Sequence, residues 1–244
     1  MIWIALASAA SFEPVITELS TNAHIDWSSM SLVVEASSVR RGSEGTKAVE
    51  ELARRLVDQR ILPAAEQIPV APADKLVDLR SSPELWPALE PRIGRWVETE
   101  NRYYSSGKVT VVGSLRLSEL LKPMVMATAT SRSGPRSEYT GIVLDARGVE
   151  GIAPCFAPEI RGPSATLIDG RMWLDAAIER SPAALVSDAA HPAADRAGSN
   201  PLAAAIVAGK GCVLTVEAAT EAKLSPLLET QLGGEGRLVI VVDP

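Results

Sequence analysis

The chain has 244 residues, 46% of them apolar and 22% charged, which is enough to bury one large core or two small ones and is not the composition of a disordered tail. Lys and Arg number 24 against 30 Asp and Glu, a net charge of −6, and aromatic residues make up only 4%, so neither a phosphate-backbone binder nor a base-stacking platform is indicated. Two histidines and two cysteines exclude most metal sites and most Cys/His chemistry.

Residues 1–21 form an apolar N-terminal segment. Ala5-Leu6-Ala7 and Ala7-Ser8-Ala9 both fit the small-x-small rule of a signal-peptidase site. The basic start of a secretory signal is missing, since the first basic residue is Arg40. The segment therefore reads either as the remnant of a signal peptide whose start lies upstream or as a buried N-terminal strand, and export is the expectation carried forward. No Cys follows the run, so a lipid anchor is not supported. No other stretch approaches the roughly 20 apolar residues of a membrane span.

Residues 22–127 read as an N-terminal α+β domain. Within it, 24–36 is a hairpin turning at Ser28-Ser29-Met30. Residues 43–62 have the spacing of an amphipathic helix: Ser43 is the expected N-cap, Pro63 the expected stop, and Val49, Leu52, Ala53 and Leu56 the expected core stripe. Leu85, Leu89, Ile93 and Trp96 predict a second helix, kinked or split by Pro87 and Pro91. Residues 97–104 and 108–117 predict a second hairpin around Ser105-Ser106-Gly107, and Gly113 on its apolar face suggests a bulge.

Residues 128–137 are polar, without periodicity, and read as a linker. Residues 138–244 follow as a C-terminal α/β domain. Its first strand is the nearly continuous apolar run 139–145, and weaker strands fall at 156–160 and 165–168. Residues 187–200 read as a surface loop, 202–208 and 212–216 as a strand pair, 220–228 as a helix interrupted at Pro226, and 238–242 as a last strand. The expected fold is thus α+β: a small antiparallel sheet of two hairpins packed on a helix, then a second small α/β unit.

Chemistry is scarce. Gly233-Gly234-Glu235-Gly236 precedes a strand and not a helix, so it reads as a turn and not as a dinucleotide loop. Gly209-Lys210-Gly211 lacks the upstream Gly and the following Ser or Thr of a phosphate loop. No nucleophile elbow, H-E-x-x-H or C-x-x-C occurs. Asp145, Arg147 and Gly148 end the first strand of the second unit and are read as a structural turn, with Gly148 supplying a positive φ. Cys155 and Cys212 are either a disulfide, if the chain is exported, or two buried free thiols. No catalytic, cofactor-binding or metal-binding residue is expected, and no cofactor.

The ordered set of elements resembles a known family. Ile25-Asp26-Trp27-Ser28-Ser29, then Ala48-Val49-Glu50-Glu51-Leu52-Ala53-Arg54-Arg55-Leu56, then Tyr103-Tyr104-Ser105-Ser106-Gly107-Lys108-Val109 and Leu117-Ser118-Glu119-Leu120-Leu121 resemble the LPP-twenty lipoproteins. That family includes envelope and flagellar outer-membrane ring proteins. The second unit is similar to the domain often fused behind it, through residues 139–148, Pro158-Glu159-Ile160 and Gly198-Ser199-Asn200-Pro201-Leu202. The chain departs from the family in lacking a lipobox Cys. The resemblance implies a non-enzymatic exported protein, periplasmic or outer-membrane associated, acting in assembly or scaffolding with copies of itself or other envelope proteins. The competing expectation is a periplasmic binding module for a small envelope ligand such as a glycan. An unrecognised hydrolase using Asp145 is the third.

Overall fold

Alternating apolar residues in two nine-residue runs give the central strands of an antiparallel sheet. The computed structural model describes residues 12–124, 126–127, 138–173, 181–228 and 236–244. The expected linker 128–137, both signal-peptidase motifs and most of the glycine turn at 233–236 lie outside the described residues. Strands β1 (Ile16–Ser20), β2 (Ala23–Asp26) and β3 (Ser31–Val39) form a meander. Strands β4 (Pro69–Ala71) and β5 (Asp74–Lys75) make a separate small hairpin, and β6 (Val97–Tyr103) and β7 (Lys108–Arg116) form the second long one. The five-stranded order is β1-β2-β3-β7-β6, antiparallel throughout. The first unit therefore does not begin at residue 22, because Val15 is buried and β1 hydrogen-bonds along β2.

The first hairpin turn is held by one carboxylate. Asp26 accepts hydrogen bonds from the backbone N–H groups of Ser28 (2.9 Å) and Ser29 (3.1 Å) and from the Ser29 hydroxyl (2.8 Å). Trp27 is fully buried beside it, and its Nε1 donates to Thr17 Oγ1 at 2.8 Å, which ties β1 to the turn.

Helix α1 (Thr46–Ala65) covers one face of this sheet. Its start is at Gly45, without a side-chain cap, and not at Ser43. Its buried stripe is Val49, Ala53, Val57 and Ile61, an i, i+4 row. Leu52 is 43% exposed and Leu56 only half-buried, so the expected stripe is correct at Val49 and Ala53 and displaced at the two leucines. Pro63 lies inside the last turn and does not end the helix. The N–H it lacks would have bonded Gln59, whose position on the exposed face leaves that carbonyl open to water. The sheet accommodates the helix through Gly113, where a Cβ would come within 2.9 Å of Val57 and 2.7 Å of the Trp96 ring. Gly113 is not itself the bulge: the register shift lies in the facing strand, between Glu98 and Glu100.

Helix α2 (Trp86–Ile93) contains both prolines unbroken, because Pro87 falls in the first turn and Pro91 would have bonded the residue at position 87, itself next to the helix start. A short helix, α3 (Leu117–Leu121), buries Leu117, Leu120 and Leu121, and β8 (Met126–Ala127) follows.

The second unit holds β9 (Gly141–Asp145), β10 (Glu159–Arg161), β11 (Thr166–Asp169) and β12 (Met172–Trp173). It continues through β13 (Ala183–Val186), β14 (Pro201–Ala205), β15 (Ala208–Lys210), β16 (Val213–Thr215), α4 (Ala218–Leu228) and β17 (Leu238–Val241). A parallel sheet has the order β13-β17-β9-β14, and a mixed sheet the order β11-β10-β16-β15. The strand expected over 202–208 divides between them: residues 202–205 pair with β9 in the parallel sheet, and only its end, at Val207 and Ala208, meets β16. Helix α4 runs through Pro226. The fold is α+β: the five-stranded sheet is antiparallel, the β13-β17-β9-β14 sheet is parallel, and the β11-β10-β16-β15 sheet is mixed. One continuous apolar core runs through both units, from Trp27 and Leu32 to Leu144 and Ile240.

Candidate functional site

The loose, proline-rich stretch after α1 builds one side of a concave feature of the described surface. Pro72 bends the β4–β5 turn and Ala73 follows at φ +102°, a left-handed conformation that costs a residue with a Cβ about 1 kcal/mol or more. The N–H groups of Phe156 and Ala157 donate to the carbonyls of Pro69 and Val70, both at 3.0 Å, and fix this hairpin against the second unit. Between them lies a cleft of about 590 Å³. One wall is the β4–β5 hairpin, and the other is made by Ala153, Pro154 and the β15–β16 turn.

Cys155 and Cys212 are bonded to each other in this second wall, with Cα atoms 5.8 Å apart, and both are buried. The backbone at the same place is already paired. Ala153 N–H donates to Gly211 (2.9 Å), Gly211 N–H to Gly151 (2.8 Å) and Glu159 N–H to Cys212 (3.0 Å). The second wall is therefore held twice, by the ladder and by the cross-link.

The cleft lining is uneven in charge. Lys75, Arg161 and Lys210 contribute cations, and Asp74 is its one acidic side chain. Arg161 is clamped by Glu159, through Nε (2.7 Å) and Nη2 (2.9 Å), and this hydrogen-bonded pairing holds the Glu159 carboxyl below its usual range. Lys75 Nζ donates to Gln67 (3.0 Å). Lys210 is solvent-exposed and forms no ion pair among the described residues. No aromatic side chain lines the cleft. The β4–β5 hairpin carries no apolar alternation in the sequence, so it was not expected, and the turn signal Pro72 was the only local clue.

The Asp145–Arg147–Gly148 turn lies elsewhere, at the C-terminal end of β9. Arg147 donates to Asp145 through its backbone N–H (3.1 Å), Nε (2.9 Å) and Nη2 (2.6 Å). The guanidinium bond lowers the Asp145 pKa. Gly148 has φ +74°, and its N–H donates to Asp243 at 2.8 Å. The same acid-x-Arg spacing pairs Glu100 with Arg102, Glu159 with Arg161 and Asp169 with Arg171, so it is a recurrent surface clamp and not a feature of one site. The two histidines also have local surroundings that account for them. His191 Nδ1 accepts from Ala193 N–H (3.0 Å) at the start of the 3-10 segment Pro192–Ala197, and Phe12 meets its ring edge-on. His24 lies in β2, opposite Glu18 and Val33. Among the described residues no group of three or more His, Cys, Asp or Glu is placed to hold a metal ion.

The other surface of note is the outer strand of the first sheet. β6 is seven residues long, and β1 on the opposite edge is five. Val97 is 61% exposed and Tyr103 56%, and Tyr104 and Val39 are exposed at the same end of the sheet. Arg54 of α1 clamps β6 through Glu98 (Nε to Oε2, 2.5 Å) and also bonds Glu50, and the Tyr103 hydroxyl donates to Glu50 at 2.9 Å. Among the described residues no helix is long and apolar enough to cross a membrane. No family model and no curated protein matches the chain.

Proposed function

We propose that the chain is a non-enzymatic assembly module of the cell envelope, acting through the open edge of β6 on a further copy of itself or on another envelope protein. The observation that carries this reading is the outer strand itself: seven residues with one edge unpaired among the described residues, from the exposed Val97 to the exposed Tyr103 and Tyr104. Tyr is favoured at interfaces because it buries a large rigid surface and keeps a polar tip. An unpaired edge recruits a partner strand through its free backbone groups. The bulge near Thr99 and the charges of Glu98, Glu100 and Arg102 reject indiscriminate pairing, so they favour a partner of matched charge pattern. The Cys155–Cys212 bond supports an oxidising location such as the periplasm, and the local roles of both histidines support a chain without a reaction. The resemblance to the LPP-twenty lipoproteins supports the same reading.

Sedimentation of the intact chain over a range of concentrations tests it. Reversible self-association that is lost in Val97→Asp/Tyr104→Asp is the expected result. Both positions are exposed, so these changes leave the fold intact. A chain that remains monomeric at every concentration overturns the self-association form. Cross-linking from position 104 in native envelopes that yields no defined partner overturns the other.

A further inference from the structure

We propose that the cleft between the β4–β5 hairpin and the β15–β16 turn is a binding site for a monomeric amphiphilic anion, an apolar chain carrying a carboxylate or phosphate head. The cleft volume of about 590 Å³ falls in the usual range for small-molecule sites. Its walls are mostly apolar, with Pro69, Ala71, Pro154 and Val213 facing a space that a hydrocarbon chain would fill. Three cations against one carboxylate surround that space, on a chain whose overall charge is −6. Local charge opposite to the net charge selects an anion by field and not by bulk attraction. Among the described residues Lys75 and Lys210 form no ion pair, Lys75 donating only to the Gln67 amide oxygen, and Arg161 keeps one guanidinium nitrogen, Nη1, outside its clamp with Glu159. An anionic head placed between them gains charge-assisted hydrogen bonds without breaking an ion pair.

The same lining argues against the glycan expected as the alternative ligand. Sugar faces are recognised by aromatic platforms, and the cleft has none. The left-handed Ala73 at its rim is a strained residue that lines the cleft, the kind of position found where a wall is shaped for a ligand. This site does not depend on the β6 edge, so either reading can fail alone.

Calorimetric titration of the intact chain with octanoate, octyl phosphate, octanol and acetate tests the proposal. Octanoate and octyl phosphate are expected to bind at one site, the order of their affinities reporting the preferred head. Octanol should bind at least fivefold more weakly, and acetate should give no saturable heat. Lys210→Glu is expected to weaken both anions about five- to tenfold, the weight of one or two solvent-exposed charge contacts, and to leave octanol unchanged. Ala153→Trp, which fills the cleft, is expected to abolish all three. Raising NaCl from about 0.05 M to about 0.5 M should weaken octanoate and not octanol. Equal binding of octanoate and octanol to the native chain, anion affinity unchanged by Lys210→Glu, or no binding of any amphiphile overturns the proposal. Binding to anionic lipid vesicles without binding of octanoate or octyl phosphate also overturns it, since the occupant would then be a membrane surface.

Discussion

The two halves of this molecule reach a packed interior by different means. The first sheet buries bulky side chains, Trp27, Ile25 and Leu32, against a helix whose row of Val49, Ala53, Val57 and Ile61 settles over Gly113. The parallel sheet instead has one face closed by a 3-10 segment with alanines, Ala194 and Ala197 lying on Ala184, Val186, Val239 and Val241. There the backbone itself comes close: a Cβ on Gly141 would stand 2.4 Å from the Ala197 carbonyl oxygen. Both halves bury apolar side chains in the shared core, and the second adds close backbone approach and a cross-link. The same kind of substitution should therefore act differently in the two.

The largest contrast is expected from core truncation in the first half. Ile61→Ala should cost about 2–5 kcal/mol in urea unfolding, while Leu52→Ala on the same helix stays within about 0.5 kcal/mol. Equal losses would mean that the helix is rotated from its described face. Next comes the cross-link. Replacing both Cys155 and Cys212 by Ala should cost about 2–4 kcal/mol, mainly by freeing the unfolded chain over a separation of 57 residues. Because three backbone hydrogen bonds hold the same place, the far-ultraviolet circular dichroism of the double variant should be unchanged. Gly141→Ala should follow, at about 1–3 kcal/mol, because the atom it meets is backbone and cannot swing away. Gly148→Ala meets no neighbour and should lose only the smaller cost of its positive φ.

Smaller still is the surface clamp. Asp145→Asn should change stability by less than about 1 kcal/mol, because both partners are nearly half-exposed. The last effect is on pH. The hydrogen bond from Arg54 holds the Glu98 pKa below its ordinary 4.5. A carboxylate with a lowered pKa adds stability that is fully present above 4.5 and is lost as pH falls through the lower folded value. Acid titration should therefore loosen β6 from α1, and Arg54→Gln should flatten that part of the profile. Hydrogen exchange of the β6 amides measures it.

Much of the fold was legible in the chain. Alternation along 108–117 is a local signal and marked one central strand, and the hairpin read over 24–36 marked the other, three residues short of its end at Val39. Turn residues are local too, and Ser28-Ser29-Met30 marked the first hairpin turn, with the structure adding Asp26 as the carboxylate that holds it. The Asp145–Arg147 clamp needed only a two-residue reach, while the bond from Gly148 to Asp243 spans the unit. Phase was harder to read. The i, i+3, i+4, i+7 spacing from Val49 takes in Leu52, Ala53 and Leu56, and it meets the buried row only at Val49 and Ala53. The i, i+4 row sets Val57 over Gly113, where a Cβ would come within 2.9 Å of it.

What the sequence by itself determined is the set of elements whose causes lie within a few residues: strand alternation, turn chemistry, helical periodicity and the scarcity of reactive groups. What only the tertiary structure decided is whatever depends on residues far apart in the chain. The cleft joins Ala71 and Lys75 to Arg161 and Lys210, and the cross-link joins positions 155 and 212. The strand expected over 202–208 had to be divided between two sheets, because one end pairs with β9 and the other with β16. Local propensity carries no information about such pairings. They are set by which surfaces the shared core brings together, and that is a property of the whole chain.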